Sequence, residues 1–495
     1  MGELNPSPEA VQEAPGIIDK VFEDWQEHLS SPKDSTNQAL LSSIRARYTG
    51  WSVTVTSYYP TGLFAYAKAG HAEATLDTKQ DKHVMTRAHK PARGRKSGNE
   101  GTTKNTVTFG KYDYTWNRHT FIVYHASFTE NMRETYNNLY ILSKTPDGEV
   151  TPTTTPPKHV DELIVASTEW NAELHNEILV FDQQRWSKDG ELYRAVQSAN
   201  WNDVVLDKDI KDALIKDVES FFDCQADYKR FAVPWKRGII FHGTPGNGKT
   251  ISIKALMNSL SRREGDAVPS LYVKSLAGCN NAYYAIRQIF VTARHYSPCL
   301  LIFEDLDSLI SDSVKSFFLN EVDGLEDNDG LMMIGSTNYL ERLDAGISRR
   351  PGRFDRKYHF ALPAASERAK YADYWRQKLQ AHDNDLDFPE ALNDKIAGIT
   401  EDFSFAYIKE AFVTSLLTIV GAQKKVGNPV DEKTVEGPVA DDMDHVLLWR
   451  VMKKQVATLR EEMEGARKSA EQAAENLAKP KKGGNDDLGD GCGCG

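Results

Sequence analysis

The chain has 495 residues, room for about three domains at roughly 150 residues each. Sixty Lys and Arg against 71 Asp and Glu leave a net charge of −11, which argues against a protein whose main work is wrapping nucleic acid. A hydrophobic content of 40% with 10% aromatics excludes wholesale disorder. Cys224, Cys279, Cys299, Cys492 and Cys494 are too few for a disulfide framework and suit a reducing compartment. No apolar run reaches the length of a membrane span. The acidic, Pro-bearing start, MGELNPSPEAVQEAPG, is unlike a secretory or mitochondrial leader, and Pro6 spoils a myristoylation motif. A soluble intracellular protein of the cytoplasm or nucleus is expected.

Residues 1–44 are rich in Pro, Ser and Glu and read as a disordered segment with a short amphipathic stretch, Ile17 to Leu29. From Trp51 the pattern turns to period 2. Val53, Val55, Val107, Phe109, Tyr112, Tyr114, Trp116, Phe121 and Val123 alternate with polar residues, predicting antiparallel strands in a β-rich domain over 45–195. Lys90 to Asn105 lacks apolar periodicity and reads as a mobile basic loop, with a nuclear signal or phosphate contact as the alternatives. TPTTTPP, Thr151 to Pro157, reads as a linker or long hairpin.

Over 196–363, apolar runs alternate with helical patterns: GIIF (238–241), SLYV (270–273), CLLIF (299–303) and LMMIG (331–335). Continuous apolar strands separated by helices predict an α/β fold with a parallel sheet buried on both faces. A helical region follows over 364–430. Over 431–495, Leu448, Met452, Val456, Leu459 and Met463 repeat at helical spacing before a charged helix and a disordered tail. This last helix shows too few heptads to separate a coiled coil from a lone solvated helix.

Chemistry concentrates in the α/β region. Gly243, Thr244, Pro245, Gly246, Asn247, Gly248, Lys249 and Thr250 form a complete G-x-x-x-x-G-K-[ST], with Ile251 next, directly after a predicted strand and opening a helix. Glycines let backbone N–H groups converge on phosphates; Lys249 reaches the outer phosphates and the Thr250 hydroxyl binds Mg²⁺. Fifty residues on, strand LLIF ends in Glu304, Asp305 and Asp307. One carboxylate for the Mg²⁺ shell and one to polarise water are what a P-loop enzyme needs; Glu304 takes the first role and Asp305 the second. Strand LMMIGSTN ends at Asn338, placed to hold the attacking water. Arg349, Arg350 and Arg353 follow, read as a basic surface or as guanidinium forks aimed at a neighbour's nucleotide.

GTPGNGKT, LLIFEDLD, GSTN and RRPGRFD, in this order and spacing, resemble the AAA family of ATPases. The Glu-Asp order and FSFAYIKEAF (Phe403 to Phe412) are similar to the Bcs1-like subfamily. The specific resemblance covers about 195–425; the β-rich segment matches that subfamily's N-terminal domain only in position and length. It implies ATP and Mg²⁺ as cofactors, a ring of identical subunits, and chaperone or translocase action on a protein substrate. It also implies Arg350 and Arg353 as arginine fingers acting in trans, an adenine side lined by Trp201 to Leu206, and a mitochondrial location by family analogy alone. The chain lacks that mitochondrial member's membrane anchor. Ser275 to Gly278 carries no aromatic where peptide-threading members have an aromatic-X-Gly loop. A nucleotide-binding scaffold with little turnover and a nucleic-acid-stimulated motor are the rival readings. No H-E-x-x-H, paired C-x-x-C or G-x-S-x-G supports a protease or hydrolase. Gly495 ends the chain where Cys492 and Cys494 would otherwise suggest prenylation.

Overall fold

The computed structural model describes residues 35–78, 83–90, 101–130, 134–144, 156–278, 281–324, 327–350, 352–381, 386–425 and 442–478. The Ile17 to Leu29 stretch, most of the basic loop, Thr151 to Thr155, Cys279 and the Cys492/Cys494 tail lie outside them. Contacts divide the chain into two compact units, Met1–Glu173 and Leu174–Gly495.

The first unit is built on an antiparallel sheet of six strands: β1 Trp51–Ser57, β2 Glu73–Leu76, β3 Val84–Lys90, β4 Thr102–Trp116, β5 His119–Glu130 and β6 Glu134–Lys144. They lie in the order β1-β6-β5-β4-β2, with β3 also paired to β4. The alternating pattern sorts side chains to two faces. Phe121, Val123, Leu139 and Ile141 pack with Leu63, Val160 and Leu163 on one side. Ala126, Tyr140 and Leu142 pack with Ile44 on the other. Two expectations change here. The segment 1–44 is not disordered to its end, because Thr36–Arg47 is a helix whose Ile44 is buried under that second face. The stretch Lys90 to Asn105 is not loop at both ends, since Lys90 pairs with Thr102 and Arg87 with Asn105 in the β3–β4 ladder.

The second unit holds a seven-stranded sheet in the order β13-β9-β12-β11-β10-β7-β8. Its strands are β7 Ile178–Asp182, β8 Arg185–Asp189, β9 Lys236–His242, β10 Ser270–Val273, β11 Cys299–Phe303, β12 Leu331–Thr337 and β13 Arg356–His359. All pairs are parallel except β7–β8. Both faces are covered, as the apolar runs require. Leu301, Phe303, Leu331 and Met333 face one core, and Leu300, Ile302, Met332 and Ile334 face the other. The boundary expected at 195/196 falls inside this unit: β7 joins the sheet through β10, with Leu271 opposite Leu179.

Beyond β13, the helices Ala365–Gln380, Leu392–Ile399 and Phe405–Lys425 gather around a third core. The C-terminal helix Leu447–Ala478 belongs to it, contrary to its expected separation from the 364–430 region. Leu448, Trp449, Met452 and Val456 are buried against Trp375, Leu392, Ile408 and Phe412. The 3–4 periodicity is a docking face, and residues 464–469 beyond it are exposed.

Candidate nucleotide site

The site residues sit where three neighbouring parallel strands end at their C-terminal tips, the usual ligand edge of an open α/β sheet. Register brings them level: Thr337 of β12 lies opposite His242 of β9, and Phe303 of β11 opposite Gly335 of β12. Asn338 and Gly243 therefore follow side by side, while Glu304 comes level with Ser336, two residues before Asn338.

The loop after β9 turns through positive φ at Gly243 (142°), Gly246 (83°) and Gly248 (94°) before the helix Lys249–Ser261. A Cβ on Gly243 would stand 2.2 Å from the Phe360 carbonyl oxygen, so no side chain fits. Asn247 is buried and clamps the loop, its Nδ2 donating to Thr244 Oγ1 at 2.6 Å. The Phe405–Lys425 helix reaches the same loop: Ala406 N donates to Gly246 O at 3.1 Å. Pro245, Thr250 and Ile251 are exposed.

Lys249 is buried and its Nζ donates to Gly243 O at 2.6 Å, Thr244 O at 3.1 Å and Asn338 Oδ1 at 2.7 Å. Desolvation lowers its pKa, while Asp305, Asp307 and Glu304 pull it back up. Asp305 shows the converse. Partial desolvation, then the charges of Glu304 and Asp307, raise its carboxyl above the usual range, against Lys249. Asp305 also adopts φ 50°, ψ 53°, the left-handed region that Asp and Asn tolerate best among residues with a Cβ. Its amide donates to Ser336 Oγ at 3.2 Å, and Thr337 Oγ1 donates to Asp307 Oδ1 at 2.7 Å.

Three residues were not found from the sequence: Tyr272, Ser336 and Thr337. Ser336 and Thr337 were visible as the first polar pair on an otherwise apolar strand. Tyr272 had no local signal. It stands opposite Ile302 on β11, so Glu304, two residues on, shares its face of the sheet. The Tyr272 hydroxyl donates to Glu304 Oε2, and burial with this contact holds the phenol protonated far above its ordinary range.

The arginines part company. Arg353 is 4% exposed and spends its guanidinium inside its own domain, donating to both Asp323 oxygens at 2.6 Å and to Gly346 O at 2.6 Å. This corrects its expected role as a finger, because none of that fork is turned outward. Arg350 is exposed, 3.7 Å from Asp323 Oδ2.

Between the loop and the helices beyond β13 lies a cavity of about 330 Å³. Gly246, Gly248 and Ile251 line it on one side, Tyr371 and Tyr374 on the other, with Asp203 and Val205 closing it. Those two belong to the expected adenine side; Trp201 does not line the cavity and instead donates from Nε1 to Ser259 Oγ at 3.1 Å. The donor set fits a nucleotide with Mg²⁺. Glu304 Oε1 is buried with no hydrogen-bond partner, and the charge of Glu304 acts on Lys249, the residue before Thr250. Among the described residues no cluster of three His, Cys, Asp or Glu could hold a metal ion.

Residues 239–362 match the model of the ATPase family associated with various cellular activities (AAA). The chain is 33% identical over 156 residues to ATPase family AAA domain-containing protein 2 of Mus musculus, covering 28% of this chain and 15% of that one. It is 30% identical over 203 residues to the ATPase histone chaperone YTA7 of Saccharomyces cerevisiae, covering 37% and 14%. It is 27% identical over 239 residues to the ATP-dependent zinc metalloprotease FtsH 2 of Thermoanaerobacter sp., covering 46% and 45%. The chain thus spans only about one seventh of the length of the two eukaryotic relatives. None of the helices in the described residues is long and apolar enough to cross a membrane. The P-loop, the paired carboxylates and Asn338 all fall within residues 239–362, the stretch that is similar to the ATPase domain of the AAA family.

Proposed function

We propose that the protein works as a ring of identical subunits that hydrolyses ATP to remodel or move a protein client, in the cytoplasm or nucleus. The observation that carries the reading is the meeting of Lys249 with Asn338 beside Glu304 and Asp305, at the ends of three adjacent strands. In this reading Lys249 binds the outer phosphates, and Thr250 and Glu304 hold Mg²⁺. Asp305 accepts the proton of the attacking water and Asn338 orients that water. Mg²⁺ bound with the nucleotide would neutralise charge on the transferring phosphoryl group. Tyr371 and Tyr374 face the base side of the cavity. Arg350 is exposed and free of a bidentate partner, which suits a finger reaching a neighbour's nucleotide; Arg353 is not part of the proposal.

The Bcs1-like branch is the subfamily we assign. The Glu304-Asp305 order, Phe403 to Phe412 and the absence of an aromatic in Ser275 to Gly278 support it. A protein client is supported by relatives named as a histone chaperone and as a metalloprotease. The net charge of −11 disfavours the nucleic-acid motor.

Steady-state ATP hydrolysis by the whole chain, by Lys249→Ala and by Asp305→Asn tests the reading. Turnover in the parent, lost in both variants and not stimulated by DNA or RNA, is the expected result. Parent turnover no faster than that of Lys249→Ala would leave the scaffold reading in its place.

A further inference from the structure

In the N-terminal unit one face of the sheet changes character along its strands. β5 presents Phe121 and Val123, then His125 and Ser127; β6 presents Ile141 and Leu139, then Asn137 and Thr135. The apolar end is covered, with Val123, Leu139 and Ile141 packed against Leu63 and Leu163. Where the polar end begins, a cavity of about 1120 Å³ opens between the sheet and the helices Tyr58–Thr61 and Leu63–Lys68.

His125 marks the border. It is 7% exposed, lines the cavity, and its ring centroid lies 4.7 Å from that of Tyr58. Its Nε2 is buried with no hydrogen-bond partner. A buried polar atom left unpaired costs free energy that a ligand's hydrogen bond would recover. Burial also holds His125 below the usual imidazole range, offset only in part by nearby Asn137, and holds the Tyr58 and Tyr112 phenols above theirs. The floor is therefore uncharged at neutral pH, and the charged lining residues are Lys68, Lys104 and Glu73.

We propose that this cavity binds an extended peptide segment of a client protein, laid along β2, with a tyrosine side chain seated against Tyr58, Phe64 and His125. The client part rests on the proposed function; the site itself does not. Three observations select a peptide. β2 is the end strand of its sheet, and its Glu73 to Thr75 line the cavity, so backbone groups of an edge strand stand beside it. Ser127 and Asn137 lie opposite each other on β5 and β6, line the same cavity and offer neutral donors and acceptors to polar groups of the segment's side chains. The uncharged aromatic floor accepts a phenol whose hydroxyl meets Nε2, and the two lysines against one glutamate favour acidic residues beside that anchor.

The test is fluorescence anisotropy with the full chain, without nucleotide, and a fluorescein-labelled peptide of sequence DTVTYTVTD. Saturable binding is expected. Replacing the central tyrosine by alanine should weaken it by about tenfold or more, the loss of a buried aromatic anchor. Replacing it by phenylalanine should weaken it about fivefold, one hydrogen bond. Ser127→Trp, a half-buried position outside the core, should block the groove and abolish binding with an unchanged thermal midpoint. His125→Phe should bind the tyrosine and phenylalanine peptides alike. Equal affinity for the tyrosine and alanine peptides, or binding that survives Ser127→Trp, overturns the proposal. So does binding of maltoheptaose in place of the peptide. Peptide binding in a chain without ATP turnover would sink the ATPase reading and leave this site standing.

Discussion

Lys249 Nζ and Asn338 Oδ1 lie 2.7 Å apart, joining the loop after β9 to the tip of β12. The same ammonium also holds two carbonyls of its own loop, so Asn338 is one of three acceptors that fix where the charge sits. Asn338→Ala should keep ATP binding, because two anchors remain, and cut kcat by about 10² through a misplaced charge and water. Lys249→Ala should lose nucleotide affinity itself. Isothermal titration with ATP, beside turnover, separates the two; equal loss of affinity in both would make Asn338 a binding group.

Tyr272 and Glu304 form the second such pair, through the phenol hydroxyl. A hydrogen bond to a charged group contributes about 1.5–3 kcal/mol. Tyr272→Phe should therefore lower kcat by about tenfold or more, with little change in KM for ATP, and shift the Mg²⁺ dependence as Glu304→Gln does. A faster variant would mean that the tyrosine restrains the carboxylate rather than orients it.

Asp305 combines strain with charge repulsion. Asn fits its left-handed backbone, whereas Ala there costs about 1–2 kcal/mol. Asp305→Asn should abolish turnover while leaving the thermal midpoint equal or higher, and Asp305→Ala should lower the midpoint. The raised folded pKa sets a sign: the folded state holds this proton more tightly than the unfolded chain, so neutral pH carries a small cost that acid removes. If Asp305 is the base, turnover falls as pH drops through that raised value. Lys249 holds the value down, so weakening that charge moves the acid limb to higher pH.

These pairs show what the sequence makes legible. The P-loop is a continuous stretch whose glycines, lysine and hydroxyl act within eight residues, so its chemistry reads directly from the chain. Four of the sheet's strands were equally plain, because burial on both faces forces unbroken apolar runs. Tyr272 was not, since its role depends on β10 lying beside β11 in a particular register. Nor was the fate of Arg353, which is decided by Asp323 thirty residues earlier. β7 and β8 were placed in the wrong domain because short strands carry no mark of which sheet they will join.

The C-terminal helix illustrates the same limit and yields a prediction. Its heptad-like stripe names a face but not a partner; the structure supplies Trp375, Leu392 and Phe412. Truncation after Asp442 removes Leu448, Trp449 and Met452, exposing that core. Burial of each such side chain contributes about 1.5–3 kcal/mol. The truncated protein should lose the cooperative unfolding of this region, seen as rapid amide exchange in Phe405–Lys425, and with it the contact of Ala406 on Gly246. Trp449→Ala should do so in part, at about 3–5 kcal/mol.

Arg350 and Arg353, three residues apart, should separate by experiment. Arg353 is buried with both Asp323 oxygens, so Arg353→Ala leaves that carboxylate with only the 3.7 Å contact to exposed Arg350. Breaking a buried pair costs about 3–5 kcal/mol; Asp323 retains 37% exposure, which discounts this to roughly 2–3 kcal/mol. The hydrogen bonds of Arg353 hold the Asp323 carboxyl below its ordinary range. Its contribution to stability is therefore present above the unfolded carboxyl pKa and lost as pH falls through the lowered folded value. Arg353→Ala should be less stable at neutral pH and lose less on acidification. Arg350→Ala breaks only an exposed contact, worth about 0–1 kcal/mol, and should keep its thermal midpoint. As a trans finger it should still cost 10³ to 10⁵ in turnover, about 4–7 kcal/mol. Mixing Arg350→Ala with Lys249→Ala subunits decides the geometry. Exchanged rings contain interfaces where an intact P-loop faces an intact Arg350, and activity should partly return. Mixing Arg353→Ala with Lys249→Ala should restore far less if Arg353 serves its own domain, because every Arg353→Ala subunit carries the fold defect with it. No recovery with Arg350→Ala, in rings shown to exchange subunits, would place that arginine in cis.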